Sequence, residues 1–131
     1  MVQFVAVVEG KQVNGVHIQV SIGASVTLDC AAPNTASPVI HAEWDFHQLN
    51  SGTPIVIYDG SVVNPSTVAD KYSVDCNMSS KTCALRINHF QTSDIGEYQC
   101  YLMTENETLK FFYELSATGI SQRRQAIDCV V

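Results

Sequence analysis

The sequence predicts an all-β protein made of many short strands, and three observations carry this prediction. Apolar and polar residues alternate over short stretches, the pattern of strands with one buried face. Gly, Pro, Asn and Ser separate these stretches at short intervals, as turns do. Cys30 and Trp44 precede an Asp-Ile-Gly-Glu-Tyr-Gln-Cys run at residues 94–100, which ends in Cys100.

As a set, these residues resemble the immunoglobulin superfamily, and the long interval between the two cysteines resembles its variable, or V-set, type. The resemblance extends over roughly residues 16–118. It implies a V-type sandwich of two antiparallel sheets with Greek-key connections, a disulfide between Cys30 and Cys100, and Trp44 packed against it. It also implies that Tyr98 closes the corner before the second cysteine. We therefore expect one V-type domain at residues 1–118 and a linker or stalk at residues 119–131.

The alternation predicts a series of strands and the direction of their side chains. Each strand ends where turn residues interrupt the pattern, as Glu-Gly-Lys does after the first and Gly-Ala after the second. Because successive side chains of a strand point to opposite faces, an inward Trp44 predicts that Asp45 and His47 face outward, together with His41 and Glu43. The predicted strands are residues 4–8, 17–22, 25–30, 41–47, 54–60, 71–76, 83–88, 97–103 and 109–115.

Three of these strands carry further family features. Residues 54–60 resemble the C′ strand, which distinguishes the V type from the smaller constant type. Lys71 and Asp94 match the positions of a basic residue and an aspartate that pair in the family. Residues 109–115 lack the Phe-Gly-x-Gly motif of antigen-receptor V domains. The chain therefore fits a germline-encoded receptor or adhesion module better than an antibody or T-cell receptor.

Five cysteines indicate an oxidising compartment. The short interval between Cys76 and Cys83 suits a cross-strand disulfide that closes a hairpin. Cys129 is then left over. Zinc is the rival interpretation of a cysteine and histidine set, but the chain has no Cys-x₂-Cys pair and its four histidines are scattered, so we expect no metal. Two sequons, at Asn77 and Asn106, lie in predicted turns and are expected glycosylation sites.

Composition excludes several classes of function. A formal charge of −6 and a single Arg-Arg pair at residues 123–124 argue against a nucleic-acid partner. No apolar run approaches the roughly 18 residues of a membrane span, so we expect membrane contact only through a stalk or anchor outside this chain.

Enzymatic motifs are absent from the sequence as well. A Gly-x-Ser-x-Gly turn and a Gly-rich phosphate loop are both missing. His47 near Asp45 could act as a base, but a solvated or interface histidine is the more ordinary interpretation. We expect neither catalysis nor a cofactor.

The predicted binding surface is the G-F-C-C′ face, formed by residues 109–115, 97–103, 41–47 and 54–60. Tyr, Met and Phe are enriched at the centres of protein interfaces. We predict an extracellular, cell-surface or secreted V-type immune receptor or adhesion domain. Its partner would be a protein, either another V domain in a homodimer or a cell-surface counter-receptor. A secreted lectin-like or microbial-surface-binding module is the alternative. The predicted contact residues are Asp45, His47, Tyr58, Gln99, Tyr101, Met103 and Phe112.

Overall fold

The computed structural model describes the backbone of residues 6–7 and all atoms of residues 15–61 and 70–118. These residues form strands and one 3-10 helix, Thr92–Asp94. The predicted linker at residues 119–131 and the leftover Cys129 lie outside the described residues. The strands are β1 Ala6–Val7, β2 Val16–Val20, β3 Val26–Leu28, β4 Val39–Gln48, β5 Ile55–Asp59, β6 Tyr72–Asn77, β7 Thr82–Ile87, β8 Gly96–Thr104 and β9 Thr108–Ala117.

The strands form two sheets, which confirms the predicted all-β sandwich. The larger sheet has the order β1-β9-β8-β4-β5, with β2 also paired to β9, and the smaller has the order β3-β7-β6. Pairing is antiparallel except between β2 and β9, which run parallel from Val16–Tyr113 to Val20–Ala117. The prediction of two antiparallel sheets did not specify this parallel pair, since alternation indicates which face is buried but not which neighbour a strand takes.

A disulfide joins the two sheets through the centre of the core. Cys30 follows β3 in the smaller sheet and Cys100 lies in β8 of the larger one, with an S–S distance of 2.03 Å. Trp44 lies directly opposite Cys100 in the β4–β8 ladder, is fully buried, and donates its indole N–H to the Cys83 carbonyl at 3.2 Å. In the chain-entropy model a loop of this size contributes about 4 kcal/mol.

The turn before β8 holds the one buried ion pair among the described residues. Lys71 Nζ lies 2.5 Å from Asp94 Oδ2, and both side chains are almost fully buried. Asp94 Oδ2 also accepts the Gln91 N–H at 2.8 Å, and the Tyr98 hydroxyl donates to the Asp94 carbonyl at 2.6 Å. The predicted pairing of Lys71 with Asp94 and the tyrosine corner at Tyr98 are therefore confirmed.

The backbone geometry explains why position 96, within the run at residues 94–100, is a glycine. Its φ is +152°, and a Cβ there would lie 2.4 Å from the His47 carbonyl oxygen. The close approach of β4 and β8 at their ends thus requires a residue without a side chain.

Candidate functional site

Four neighbouring strands present one continuous surface, which we call the outer face: the solvent side of β9, β8, β4 and β5. The alternating burial of β4 and β8 confirms that Trp44 and Cys100 point inward. Directly opposed residues therefore share the outer face: Asp45 lies opposite Gln99, and Gln99 opposite Phe112. Tyr101 and Met103 continue the same row of β8. Each of these five side chains is half-buried.

Tyr101 lies at the centre of the outer face among acidic side chains. It is opposite Glu43 on one side and Lys110 on the other, and the Lys110 ammonium is 5.9 Å from its ring centroid. Its hydroxyl donates to Gln99 Oε1. Burial raises the pKa of Tyr101, and the nearby carboxylates of Asp45, Glu43 and Glu97 raise it further. Tyr101 therefore keeps its proton and remains a hydrogen-bond donor at the centre of the surface.

Asp45 is the most perturbed carboxyl group of the outer face. Its burial raises its pKa from 3.8 to about 7, with further contributions from a hydrogen bond to Glu43 and from the charges of Glu43 and Asp59. Its Oδ1 is shielded from solvent and has no hydrogen-bond partner among the described residues. Such an environment disfavours the carboxylate, which makes Asp45 a destabilising residue at neutral pH.

Beside Asp45, three potential ligand groups converge between β4 and β5. Glu43 lies directly opposite Asp59, and His41 precedes Glu43 by two positions on the same face. The ligand atoms of His41, Glu43 and Asp59 all lie within 4.8 Å of one another. His41 Nε2 contacts Asp59 Oδ1, and the two side chains are 39% and 47% exposed.

Two predicted contact residues lie away from the centre of the outer face. Tyr58 lies opposite the inward-facing Trp44 and packs against the core, so its placement on the outer face was wrong. The cause is a register shift in the β4–β5 pairing at Trp44/Asp45, where one extra residue reverses the alternation. His47 is on the outer face, but at its end. It contacts the Ser51 carbonyl oxygen at 2.7 Å and borders a shallow cavity of about 340 Å³.

The predicted contact list omitted several charged members of the outer face. Alternation had already placed His41 and Glu43 outward, so the sequence contained the signal for these two. Asp59 could not be found in this way, because its position opposite Glu43 depends on the shifted register. Glu97 lies opposite Glu114, a second directly opposed acidic pair. Lys110 is the one lysine or arginine that the described strands place on the outer face.

The two sequons and the second cysteine pair lie away from the centre of the outer face. Asn106 is exposed in the β8–β9 hairpin, beyond the Met103 end, and its amide donates to Ser37 Oγ at 2.8 Å. Asn77 is exposed at the end of β6. Next to it, Cys76 and Cys83 are opposite residues of the β6–β7 hairpin and are joined by a disulfide. Both asparagines are therefore open to solvent, as a glycan requires.

Among the described residues, no helix has the length and apolar character that a membrane crossing needs. Comparison with protein families matches residues 12–117 to the immunoglobulin V-set domain. Those residues contain both sheets apart from β1, the disulfide between them and the whole outer face. Domains of this type are generally non-enzymatic binding modules that recognise other proteins. The chain belongs to the immunoglobulin V-set family.

Proposed function

We propose that this protein is a non-enzymatic extracellular recognition domain that binds a protein partner through its outer face. The observation that carries the proposal is the continuous row of half-buried large side chains at the centre of that face. Tyr101 and Met103 are successive outward residues of β8, and Phe112 on β9 lies opposite Gln99, the outward residue before Tyr101. These residue types supply most of the energy of protein interfaces when a partner completes their burial.

The charges of the outer face favour a basic partner. Glu43 opposes Asp59, and Glu97 opposes Glu114. Like charges directly opposite each other destabilise a sheet, so these pairs cost folding free energy in the free protein. Lys110 is the one lysine or arginine that the described strands place among these four carboxylates. A positively charged partner surface would relieve this repulsion and would also accelerate association.

The same charges disfavour the predicted homodimer at neutral pH. A two-fold dimer brings identical patches together, so an outer-face dimer would juxtapose the carboxylates of both copies. We therefore favour a heterologous cell-surface counter-receptor over a second copy. Sedimentation of the full chain at pH 7.4 across concentration distinguishes the two, and a monomer up to high micromolar concentration is expected.

The structure supports protein recognition by the outer face better than it supports the lectin-like alternative. A lectin-like module needs aromatic and polar side chains that converge on a concave site. Two of the cavities against the described residues, of about 340 and 260 Å³, have no Phe, Tyr or Trp side chain in their lining. The disulfide-bonded core agrees with an extracellular or secreted location.

The test is binding of the full chain to arrayed extracellular domains. Tyr101→Arg places a cation at the centre of the acidic face and leaves the core untouched. We expect at least one arrayed domain to bind the parent protein. That binding should weaken as the NaCl concentration rises from about 50 to 300 mM, and the same domain should not bind Tyr101→Arg. A partner that binds the parent and the variant equally would refute the proposed face.

A further inference from the structure

The outer face contains a cluster whose chemistry differs from that of a protein-binding surface. His41 and Glu43 are two positions apart on β4, and Asp59 lies opposite Glu43 on β5. Alternation and register thus bring an imidazole and two carboxylates to one point. Their ligand atoms lie within 4.8 Å of one another. The cluster occupies the β5 side of the face, whereas Tyr101 lies on the β8 side of β4.

A second observation concerns Asp45, which lies beside this cluster and has a carboxylate oxygen without a partner. Asp45, the next outward residue of β4, has an Oδ1 that is shielded from solvent and makes no hydrogen bond among the described residues. Asp45 shares the outer face with Glu43, two positions before it on β4. Three carboxyl groups therefore lie on neighbouring outward positions of β4 and β5, and His41 Nε2 contacts Asp59 Oδ1. A buried carboxylate oxygen without a partner is costly, and a bound cation offsets such a cost.

We propose that His41, Glu43 and Asp59 form a binding site for a divalent transition-metal ion, with zinc as its representative. Zinc takes imidazole nitrogen and carboxylate oxygen at about 2.0–2.2 Å, often as three protein ligands and one water. Tetrahedral geometry then separates ligand atoms by about 3.3 Å, which small rotations of these partly exposed side chains can reach. Calcium and magnesium prefer oxygen ligands alone, so the imidazole favours zinc over calcium.

The surrounding backbone holds this ligand set in place. Glu43 and Asp59 are fixed by the β4–β5 ladder. The Asp59 N–H also donates to the Ser61 carbonyl at 3.0 Å, which orients the end of β5. The exposure of His41 and Asp59 leaves an entry path for a hydrated ion. A zinc ion would neutralise the opposed Glu43 and Asp59, and this consequence holds whether or not the outer face binds a protein.

The experiment is calorimetric titration of the full chain with zinc chloride at pH 7.4, with calcium chloride in parallel. It is repeated in a Cys129→Ser background, so that a free thiol contributes nothing. We expect one zinc ion per chain with micromolar affinity, and calcium binding at least a hundredfold weaker. His41→Ala and Asp59→Asn should each weaken zinc binding at least tenfold. Circular dichroism checks that the variants fold.

A matched control exists in the other exposed histidine–carboxylate pair of the same sheet. His17 Nε2 lies 3.2 Å from Glu114 Oε1, and no described residue adds a third ligand group within the distance that joins His41, Glu43 and Asp59. His17→Ala should leave zinc affinity within twofold of the parent. The proposal is overturned if zinc does not saturate one site below about 1 mM, or if His17→Ala weakens binding as much as His41→Ala does. Calcium binding as tight as zinc binding would also overturn it.

Discussion

Replacing Asp45 by asparagine should stabilise the domain at neutral pH, and the size of the effect follows from the environment of the carboxyl group. Burial and the neighbouring Glu43 and Asp59 raise the pKa of Asp45 from 3.8 to about 7. A folded-state pKa above the unfolded one means that the neutral form is favoured in the folded protein. Its stabilising contribution is complete below about pH 3.8 and is lost as the pH rises through 7.

A shift of this size corresponds to about 4 kcal/mol if the group were shielded throughout. Asp45 is only half-buried, so solvent screening reduces the expected effect to about 1–2 kcal/mol. Asparagine keeps the size of the side chain and never ionises. We therefore compare the free energy of unfolding of Asp45→Asn with that of the parent. As the pH rises from 4 to 8, this comparison should shift by about 1–2 kcal/mol in favour of the variant.

Urea unfolding in EDTA at several pH values measures this difference. Asp75→Asn, on the outer side of the smaller sheet, is the matched control for the loss of one carboxylate. A difference between Asp45→Asn and the parent that stays constant with pH would refute the argument. A variant that becomes less stable than the parent as the pH rises would refute it more strongly.

Three other changes test the fold. Lys71→Met leaves Asp94 buried without its partner and should lower the unfolding free energy by about 3–5 kcal/mol in urea melts; a loss below about 1 kcal/mol would contradict the buried pair. Trp44→Ala should cost about 3–5 kcal/mol, and an unchanged melting temperature would disprove its central position. Burial raises the pKa of Tyr72 to about 12, and the charge of Asp94 contributes to this rise. The stability that the neutral Tyr72 side chain confers is therefore complete below about pH 10 and is lost between pH 10 and 12. Tyr72→Phe should therefore remove about 2 kcal/mol of the alkaline loss, and parallel pH curves for parent and variant would contradict this.

Alternation made most of the fold predictable. An inward Trp44 correctly indicates that His41, Glu43, Asp45 and His47 face outward, because burial alternates with a period of two from His41 to His47. Before His41 the rule fails, since the register shift between Val39 and His41 leaves Val39 buried and Ile40 exposed. The buried pair of Lys71 and Asp94 was predicted by the family resemblance, although the two residues are far apart in the chain. These features depend on residue identity at given positions, which a sequence displays directly.

The candidate site was less predictable, because it depends on pairing between strands. The register shift at Trp44/Asp45 turns Tyr58 toward the core and brings Asp59 opposite Glu43. One extra residue in an edge strand produces both effects, and nothing in the alternation of residues 54–60 indicates it. The raised pKa of Asp45 comes first from its burial and then from Glu43 and Asp59, and all of these depend on the three-dimensional arrangement.

The central claim is that the outer face recognises a protein partner, and one comparison of affinities tests it most directly. Surface plasmon resonance would measure the affinity of the captured extracellular domain for the parent, for Tyr101→Arg, and for Ala84→Arg on the outer side of the smaller sheet. We predict a loss of at least thirtyfold for Tyr101→Arg, about 2 kcal/mol, and a change below threefold for Ala84→Arg. Unchanged affinity for Tyr101→Arg together with a large loss for Ala84→Arg would contradict the account and move the binding surface to the opposite sheet.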